Sequence, residues 1–430
     1  MKKILALFLL FSVSNAYAID LMRLYEMALD SDPQLAAAKS SRDSVGESRP
    51  QALAPMLPQI SLSASATRTD RETKAFSQTF DSREGNLSLN QALLHFDHWI
   101  RLDQSKNSIA GAEAEYNAAE LDLMLRVAEA YFNILIAEDT LGFSRAEVRA
   151  ISRQLDQAKQ RFDVGLIAVT DVHEAQAAYD LARANEIIAV NGLDGAWEAL
   201  REIVAGYDGR SINRLRENIP LSRPNPDSIK TWTDTAMQRN PNIIAANNST
   251  EVARKNIDLQ RTGHLPTLDL VAMGNTSESD YRLGNDVDDA SIGLQLSLPI
   301  YAGGGVSSKT RQARYDFQTA AERLEQTRRQ VSREVSDNYR GVVSAISRVN
   351  ALKSATRSAD SALAATKAGF DVGTRTMVEV LNVQRSLYGA RRDYSAARYE
   401  YILFGLRLKG AAGSLRVEDL RMINSLLKKG

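Results

Sequence analysis

The chain has 430 residues, with 53 basic and 53 acidic side chains, four histidines and no cysteine. The missing cysteines exclude disulfides, thiol nucleophiles and thiolate metal sites, and the zero formal net charge argues against a bulk electrostatic nucleic-acid binder. An apolar fraction of 44% is ordinary for a folded chain and argues against wholesale disorder.

The N-terminus carries the features of a secretory signal. Two lysines precede an apolar run at residues 4–11, and small residues stand at Ala16 and Ala18. We predict a signal peptide over residues 1–18, removed after Ala18. No cysteine follows, so we expect no lipid anchor. No later stretch approaches 18 consecutive apolar residues, so we expect no membrane-spanning helix; this chain would enter a membrane only as a closed β-barrel.

The two halves of the sequence align at a fixed offset of about 208 residues. The run Phe-Asp-Val-Gly at 162–165 recurs at 370–373, and the Leu-Pro pair at 57–58 recurs at 265–266. One offset that holds across distant regions indicates an ancestral unit that was duplicated and fused. We predict repeats at about 19–209 and 228–414, joined by a proline-containing linker at about 206–228.

Each repeat reads as a helical start, a β-hairpin and two long helices. In the helical start, Asp32-Pro33 and Asn240-Pro241 read as N-caps followed by a proline at the first helical position. Apolar and small polar residues then alternate at period two, which predicts strands with one apolar face at about 59–76, 84–97, 266–282 and 289–302. Proline-free segments predict helices at about 98–164, 170–205, 306–372 and 377–409, with breaks at Gly165 and Gly373.

Four strands are too few to close a barrel, which needs about eight. Open sheet edges are not tolerated in lipid. A helix of some 67 residues is also about 100 Å long at 1.5 Å per residue, which suits a coiled-coil-like assembly better than a globular core. We therefore expect several chains to contribute strands to one shared barrel and helices to a second, helical tube.

Four segments of this sequence resemble the TolC family of outer-membrane efflux and type I secretion channels: Arg161–Asp180, Gly263–Leu270, Leu296–Gly304 and Gly369–Leu381. The resemblance covers essentially the whole mature chain, including the duplication. It is closer to the TolC branch than to the lipid-anchored drug-efflux branch, in keeping with the missing cysteine.

The resemblance implies a mostly α fold with membrane β-structure. Three chains would form a homotrimer with a twelve-stranded outer-membrane β-barrel, continued by a long periplasmic α-helical barrel. The implied role is a passive exit duct in the outer membrane of a Gram-negative cell. Its implied partners are outer-membrane lipid, a periplasmic adaptor and, through the adaptor, an inner-membrane pump of the ABC, RND or MFS type. No catalysis, cofactor or nucleic acid belongs to this role.

The family motif also implies a gate at the helix breaks. Thr170 and Asp171 match the polar pair after the first break, and Arg375 matches the arginine after the second. Arg375 would tie to Thr170 or Asp171 of a neighbouring chain and hold the periplasmic end closed. The family has a second polar contact, made by a tyrosine hydroxyl of the second repeat. The residue at that position here is Phe370, which has no hydroxyl. Either the closed state is looser or packing replaces that bond.

The implied pore constriction departs from the family pattern as well. The family has two inward aspartates, whereas this chain has Glu379 and Asn382, three residues apart on one helix face. We expect one ring of three carboxylates and one neutral amide ring. Such a constriction would be cation-selective and would bind multivalent cations more weakly than two acidic rings. The alternative is that Glu379 lies on a solvated helix face.

The helix breaks are also the implied docking tips for the adaptor. The residues concerned are Gly165 and Leu166 at the first break and Gly373 and Thr374 at the second. Glycine permits a tight turn and a close backbone approach. An ordinary helix C-cap accounts for the same glycines, so docking would be an additional role.

Two local motifs do not predict a binding site. Residues 303–310 resemble a phosphate loop only superficially, because Ser308 stands where a glycine should precede Lys309; we read the run as a strand-to-helix corner. His95 and His98 stand at the other corner. We predict no metal site there, since apart from Asp97 and Asp103 no carboxylate stands at a convincing ligand spacing.

No nucleophile and base are arranged for catalysis, so we expect no enzyme. The alternative to an export duct is a non-channel coiled-coil protein of the cell surface or periplasm, such as a soluble adaptor. The amphipathic hairpins and the paired helix breaks argue against it. The exported cargo is not encoded in this chain.

Overall fold

The computed structural model describes residues 18–281 and 286–428. The predicted signal peptide, apart from Ala18, lies outside the described residues. Within these ranges the helices are α1 (Leu21–Ser31), α2 (Pro33–Gly46), α3 (Ser48–Leu53), α4 (Phe96–Asp163), α5 (Val169–Ile203), α6 (Ile229–Arg239), α7 (Pro241–Arg261), α8 (Gly305–Asp371), α9 (Met377–Ala411) and α10 (Val417–Asn424). None of the helices in the described ranges is long and apolar enough to cross a bilayer.

The starts of α2 and α7 show how local sequence sets the elements. Both helices begin at the proline of the Asp-Pro or Asn-Pro pair, at Pro33 and Pro241. Asp32 accepts a hydrogen bond from the backbone N–H of Leu35 at 2.8 Å, which satisfies one of the free amide groups at the helix start. Proline is tolerated at this position because its missing N–H would have had no helical partner.

The chain divides into two compact units. One comprises residues 38–117 and 241–329, and it contains the sheet. The strands are β1 (Gln59–Glu72), β2 (Ser77–Leu94), β3 (Thr267–Ser279) and β4 (Val287–Ser297), antiparallel in the order β1-β2-β3-β4. Strand β2 begins earlier than its expected start near residue 84, because backbone pairing continues through polar residues as far as Glu72 opposite Ser77.

One face of this sheet is a continuous apolar surface. Cross-strand pairing sets Ile60 opposite Leu89, Leu89 opposite Ala272 and Ala272 opposite Ile292, so these residues share a face. The flanking row on the other face consists of Ser61, Ser88, Met273 and Ser291, so it is polar on three of the four strands. Several apolar side chains of the outer strands are more than two-thirds exposed, namely Ile60, Leu62, Ile292, Leu294 and Leu296.

Among the described residues, the other unit comprises 18–37, 118–240 and 330–428, and it contains the helix breaks. Around the breaks, α4, α5, α8 and α9 pack together through a buried apolar cluster. Its members are Val148, Ile151, Leu155, Ala158, Ala175, Ala178, Ala182, Phe370, Met377, Val380 and Leu381. The alanines allow the neighbouring helices to approach closely.

Candidate gate and docking site at the helix breaks

Each pair of long helices is interrupted by a tight glycine turn. Gly165 and Gly373 have φ angles of +74° and +80°, in the left-handed region that favours glycine. At the first break the N–H of Leu166 donates to the carbonyl of Arg161 at 2.8 Å, and at the second the N–H of Thr374 donates to that of Gly369 at 2.8 Å. These bonds satisfy carbonyl groups that the helix ends leave free. The turns therefore end α4 and α8 in the same way.

Apolar side chains project from these turns. Leu166 is 73% exposed, Val164 69% and Val372 75%. Thr374 is also exposed, and its hydroxyl donates to the carbonyl of Gly369 at 3.0 Å. Apolar groups grouped on a tip are typical of contact surfaces.

The second break is held by a capping network. Thr376 and Glu379 form a reciprocal capping box at the start of α9. Arg375 donates from Nη1 to Oε1 of Glu379 at 2.6 Å. Hydrogen bonds from the Thr376 backbone N–H and from Arg375 hold the pKa of Glu379 below its usual range, so this carboxylate is charged at neutral pH.

The first break lacks this network. Glu379 corresponds to Asp171 at the 208-residue offset, but the N-cap of α5 is Ala168, whose side chain cannot accept a hydrogen bond. Thr170, which precedes Asp171, is exposed. Among the described residues of one chain, Arg375 makes no hydrogen bond to Thr170 or Asp171. The predicted tie joins neighbouring chains, so it stays a prediction.

Phe370 takes part in a contact that the sequence did not reveal. Its ring is buried, and the guanidinium of Arg161 lies 4.6 Å from the ring centroid. Arg161 also donates from Nη2 to Oδ1 of Asp371 at 3.1 Å, so it joins the ends of α4 and α8. One feature of the sequence could have indicated this contact. Arg161 corresponds to Gly369 in the second repeat, so only the first repeat has an arginine at this position.

The beginning of α9 presents two contrasting side chains farther along. Asn382 is exposed, one turn beyond Glu379. Gln384 is fully buried, and neither atom of its amide has a hydrogen-bond partner in the part of the chain that the structure describes. Helix α9 therefore has a polar exposed face beside an unsatisfied buried amide.

A duplicated chain with membrane-type hairpins, long helices and paired helix breaks defines the class of outer-membrane channels. The family described as "Outer membrane efflux protein" matches residues 24–206 and 232–414, and the chain belongs to that family. The chain is 39% identical to the outer membrane protein TolC of Vibrio cholerae serotype O1, over 100% of this chain and 99% of that protein.

Two further comparisons extend the likeness. The chain is 29% identical to the alkaline protease secretion protein AprF of Pseudomonas aeruginosa, over 97% of this chain and 89% of that protein. The crystal structure of the Campylobacter jejuni CmeC outer membrane channel matches with a TM-score of 0.82 at 16% identity, over 95% of this chain and 90% of that one.

These findings confirm the predicted TolC-family membership, the fold class and the outer-membrane location. The chain is an outer-membrane efflux and secretion channel, and the alternative of a non-channel structural protein is not supported. Its family is a transport family.

Proposed function

We propose that three copies of this chain form one channel. Each copy would give four strands to a twelve-stranded membrane barrel and its long helices to a periplasmic helical barrel. Two observations support this assembly. In the described residues β1 and β4 each pair on one side only, which leaves two edges for neighbouring chains. The sheet also exposes one apolar face, which lipid would cover.

We propose further that Arg375 of one chain closes the gate by binding Thr170 or Asp171 of the next. The observation that carries this proposal is the difference between the two helix starts. Glu379 is used in a capping box, whereas its counterpart Asp171 has no such role. Guanidinium has five donors, so Arg375 can hold Glu379 and still bind a second carboxylate. The buried Phe370 would close the same region by packing.

The test of the gate is the resting conductance of the purified channel in a planar bilayer. Arg375→Ala should raise it several-fold, and Asp171→Asn should do the same. Arg375→Lys should give an intermediate value, because lysine keeps the charge but loses the fixed donor geometry. Arg153→Ala, which removes another exposed arginine of the same unit, is the matched control. A resting conductance in Arg375→Ala equal to that of Arg153→Ala would refute the tie.

Glu379 and Asn382 would line the constriction of the closed channel. Three Glu379 carboxylates would form one ring that attracts cations, and Asn382 would add a neutral ring. Glu379→Gln should reduce cation selectivity and remove block by a trivalent cation such as hexamminecobalt. Asn382→Asp should strengthen that block. Unchanged block in both variants would show that these side chains lie on a solvated face.

We propose that the two turns dock a periplasmic adaptor, which connects the channel to an inner-membrane pump of the ABC, RND or MFS type. The exposed apolar tips support docking, since Leu166 and Val372 are 73% and 75% exposed in the part of the chain that the structure describes. One relative is named for the secretion of an alkaline protease, so protein cargo is a candidate for this chain beside small molecules.

A further inference from the structure

Two histidines lie face to face at the corner between β2 and α4. The rings of His95 and His98 are stacked, with centroids 4.5 Å apart and planes inclined by 14°. Asp97 lies between them in sequence. Its carboxylate oxygens are 3.7 Å from Nδ1 of His95 and 3.8 Å from Nε2 of His98. One ligand atom from each of the three residues falls within 4.8 Å of the others.

A fourth residue comes from the other repeat. Asp269 on β3 places Oδ1 3.1 Å from Nε2 of His95. When Nε2 carries the proton, it donates to Asp269, and Nδ1 keeps a lone pair that can bind a metal. A carboxylate that orients a histidine through its second nitrogen is the common outer partner of a metal ligand. Asp103, the second carboxylate that the sequence places near this corner, pairs with Lys106 and Lys255 instead.

We propose that His95, Asp97 and His98 bind a divalent transition metal of the zinc class, with Asp269 as the residue that positions His95. Two imidazoles and one carboxylate suit zinc, nickel or copper(II) and do not suit calcium or magnesium. Ligand atoms about 2.1 Å from a tetrahedral ion lie about 3.4 Å apart. The spacings of 3.7 and 3.8 Å to Asp97 need only a small contraction, whereas the two stacked imidazoles must turn toward each other for both to reach one ion. The fourth position would be left to water.

The surroundings favour preorganised ligands. All four side chains are largely covered, with exposures of 15–29%. Nδ1 of His98 is buried without a hydrogen-bond partner among the described residues. Arg101, 3.7 Å from Asp97, is the competing cation, but its side chain is 55% exposed and can move aside.

Binding at this corner would link the two repeats. His95 follows β2 of the first repeat, and Asp269 lies on β3 of the second, where β2 and β3 pair. An ion held here would fix the end of β2 and the first turn of α4 against β3. The site would therefore stabilise the junction between sheet and helix.

The test is zinc binding by the full chain, purified without a histidine tag and freed of metal by a chelator. Equilibrium dialysis against zinc chloride, with elemental analysis, should give one zinc per chain. His95→Gln and His98→Gln should each weaken binding at least about tenfold. Asp269→Asn should weaken it about 10–100-fold through loss of the orienting bond. The two other histidines give matched controls, and His173→Gln and His264→Gln should bind as the unaltered chain does.

Cobalt(II) provides a second readout that does not depend on the variants. It should give the intense visible absorption of a tetrahedral site in the unaltered chain. Arg101→Gln should tighten binding, because it removes the competing charge. Zinc retained by a His95→Gln, His98→Gln double variant would overturn the proposal. So would the absence of zinc binding and of a cobalt spectrum in the correctly folded, unaltered chain.

Discussion

Gln384 lowers the stability of the packed helices near the breaks. Its side chain is fully buried and its amide has no hydrogen-bond partner in the described residues. A buried polar group without a partner costs about 1–3 kcal/mol. This cost falls on helices that must rearrange if the channel opens.

We expect Gln384→Leu to raise the free energy of unfolding by about 1–3 kcal/mol, because it replaces an unsatisfied amide with an apolar group of similar size. The measurement is thermal unfolding followed by helical circular dichroism in detergent. Gln176→Leu is the matched control at the equivalent position of the first repeat. Gln176 is only half-buried and donates to Asp180 at 3.0 Å, so its loss should change little. A melting temperature for Gln384→Leu below that of the unaltered chain would contradict this reading.

Among the secondary-structure elements, the exposed turns at the helix breaks lead to a prediction about adaptor docking. Leu166→Ser should abolish efflux in cells that lack their own channel, because it removes an apolar contact from the tip. The proposed trimer should remain, since Leu166 is 73% exposed and contributes little to the packed structure. Leu166→Met keeps the apolar character and should retain efflux. Crosslinking to the adaptor would measure docking directly, and unimpaired efflux in Leu166→Ser would refute the assignment.

The two faces of β4 should differ in their tolerance of a charged side chain. Leu294→Arg places a charge on the apolar face, at a cost of about 2–4 kcal/mol if that position lies at the bilayer midplane. Its outer-membrane yield should fall. Gln295→Arg, one residue along on the opposite face, should be tolerated. Fractionation of membranes and gel analysis of the unheated trimer would measure both variants. A loss with Gln295→Arg and not with Leu294→Arg would mean that the faces have been assigned the wrong way round.

At the scale of the whole molecule, much of the architecture follows from local pattern. Period-two alternation, proline placement and the repeated Phe-Asp-Val-Gly run were enough to predict hairpins, long helices and their breaks. These signals are local, or they repeat at one offset. The expected fold class follows from them together with the family resemblance, and the comparisons confirm it.

The contacts that sequence reasoning missed join the two repeats. Arg161 meets Phe370 and Asp371, and Asp269 meets His95. The partners are more than 170 positions apart, and no local period or motif pairs them. Such contacts depend on how the repeats pack, which becomes visible only in three dimensions. The partnerless amide of Gln384 was hidden for the same reason, since burial depends on neighbouring helices.

Whether this chain forms a gated channel is decided by its single-channel conductance in a planar bilayer. The purified channel should show a small, stable, cation-selective conductance, as expected if the proposed trimeric pore is closed at one end by Arg375 and lined by Glu379. A large resting conductance would contradict the closed gate, with Phe370 packing too weak to replace the missing hydroxyl tie. No conductance from a correctly folded trimer would contradict the channel itself.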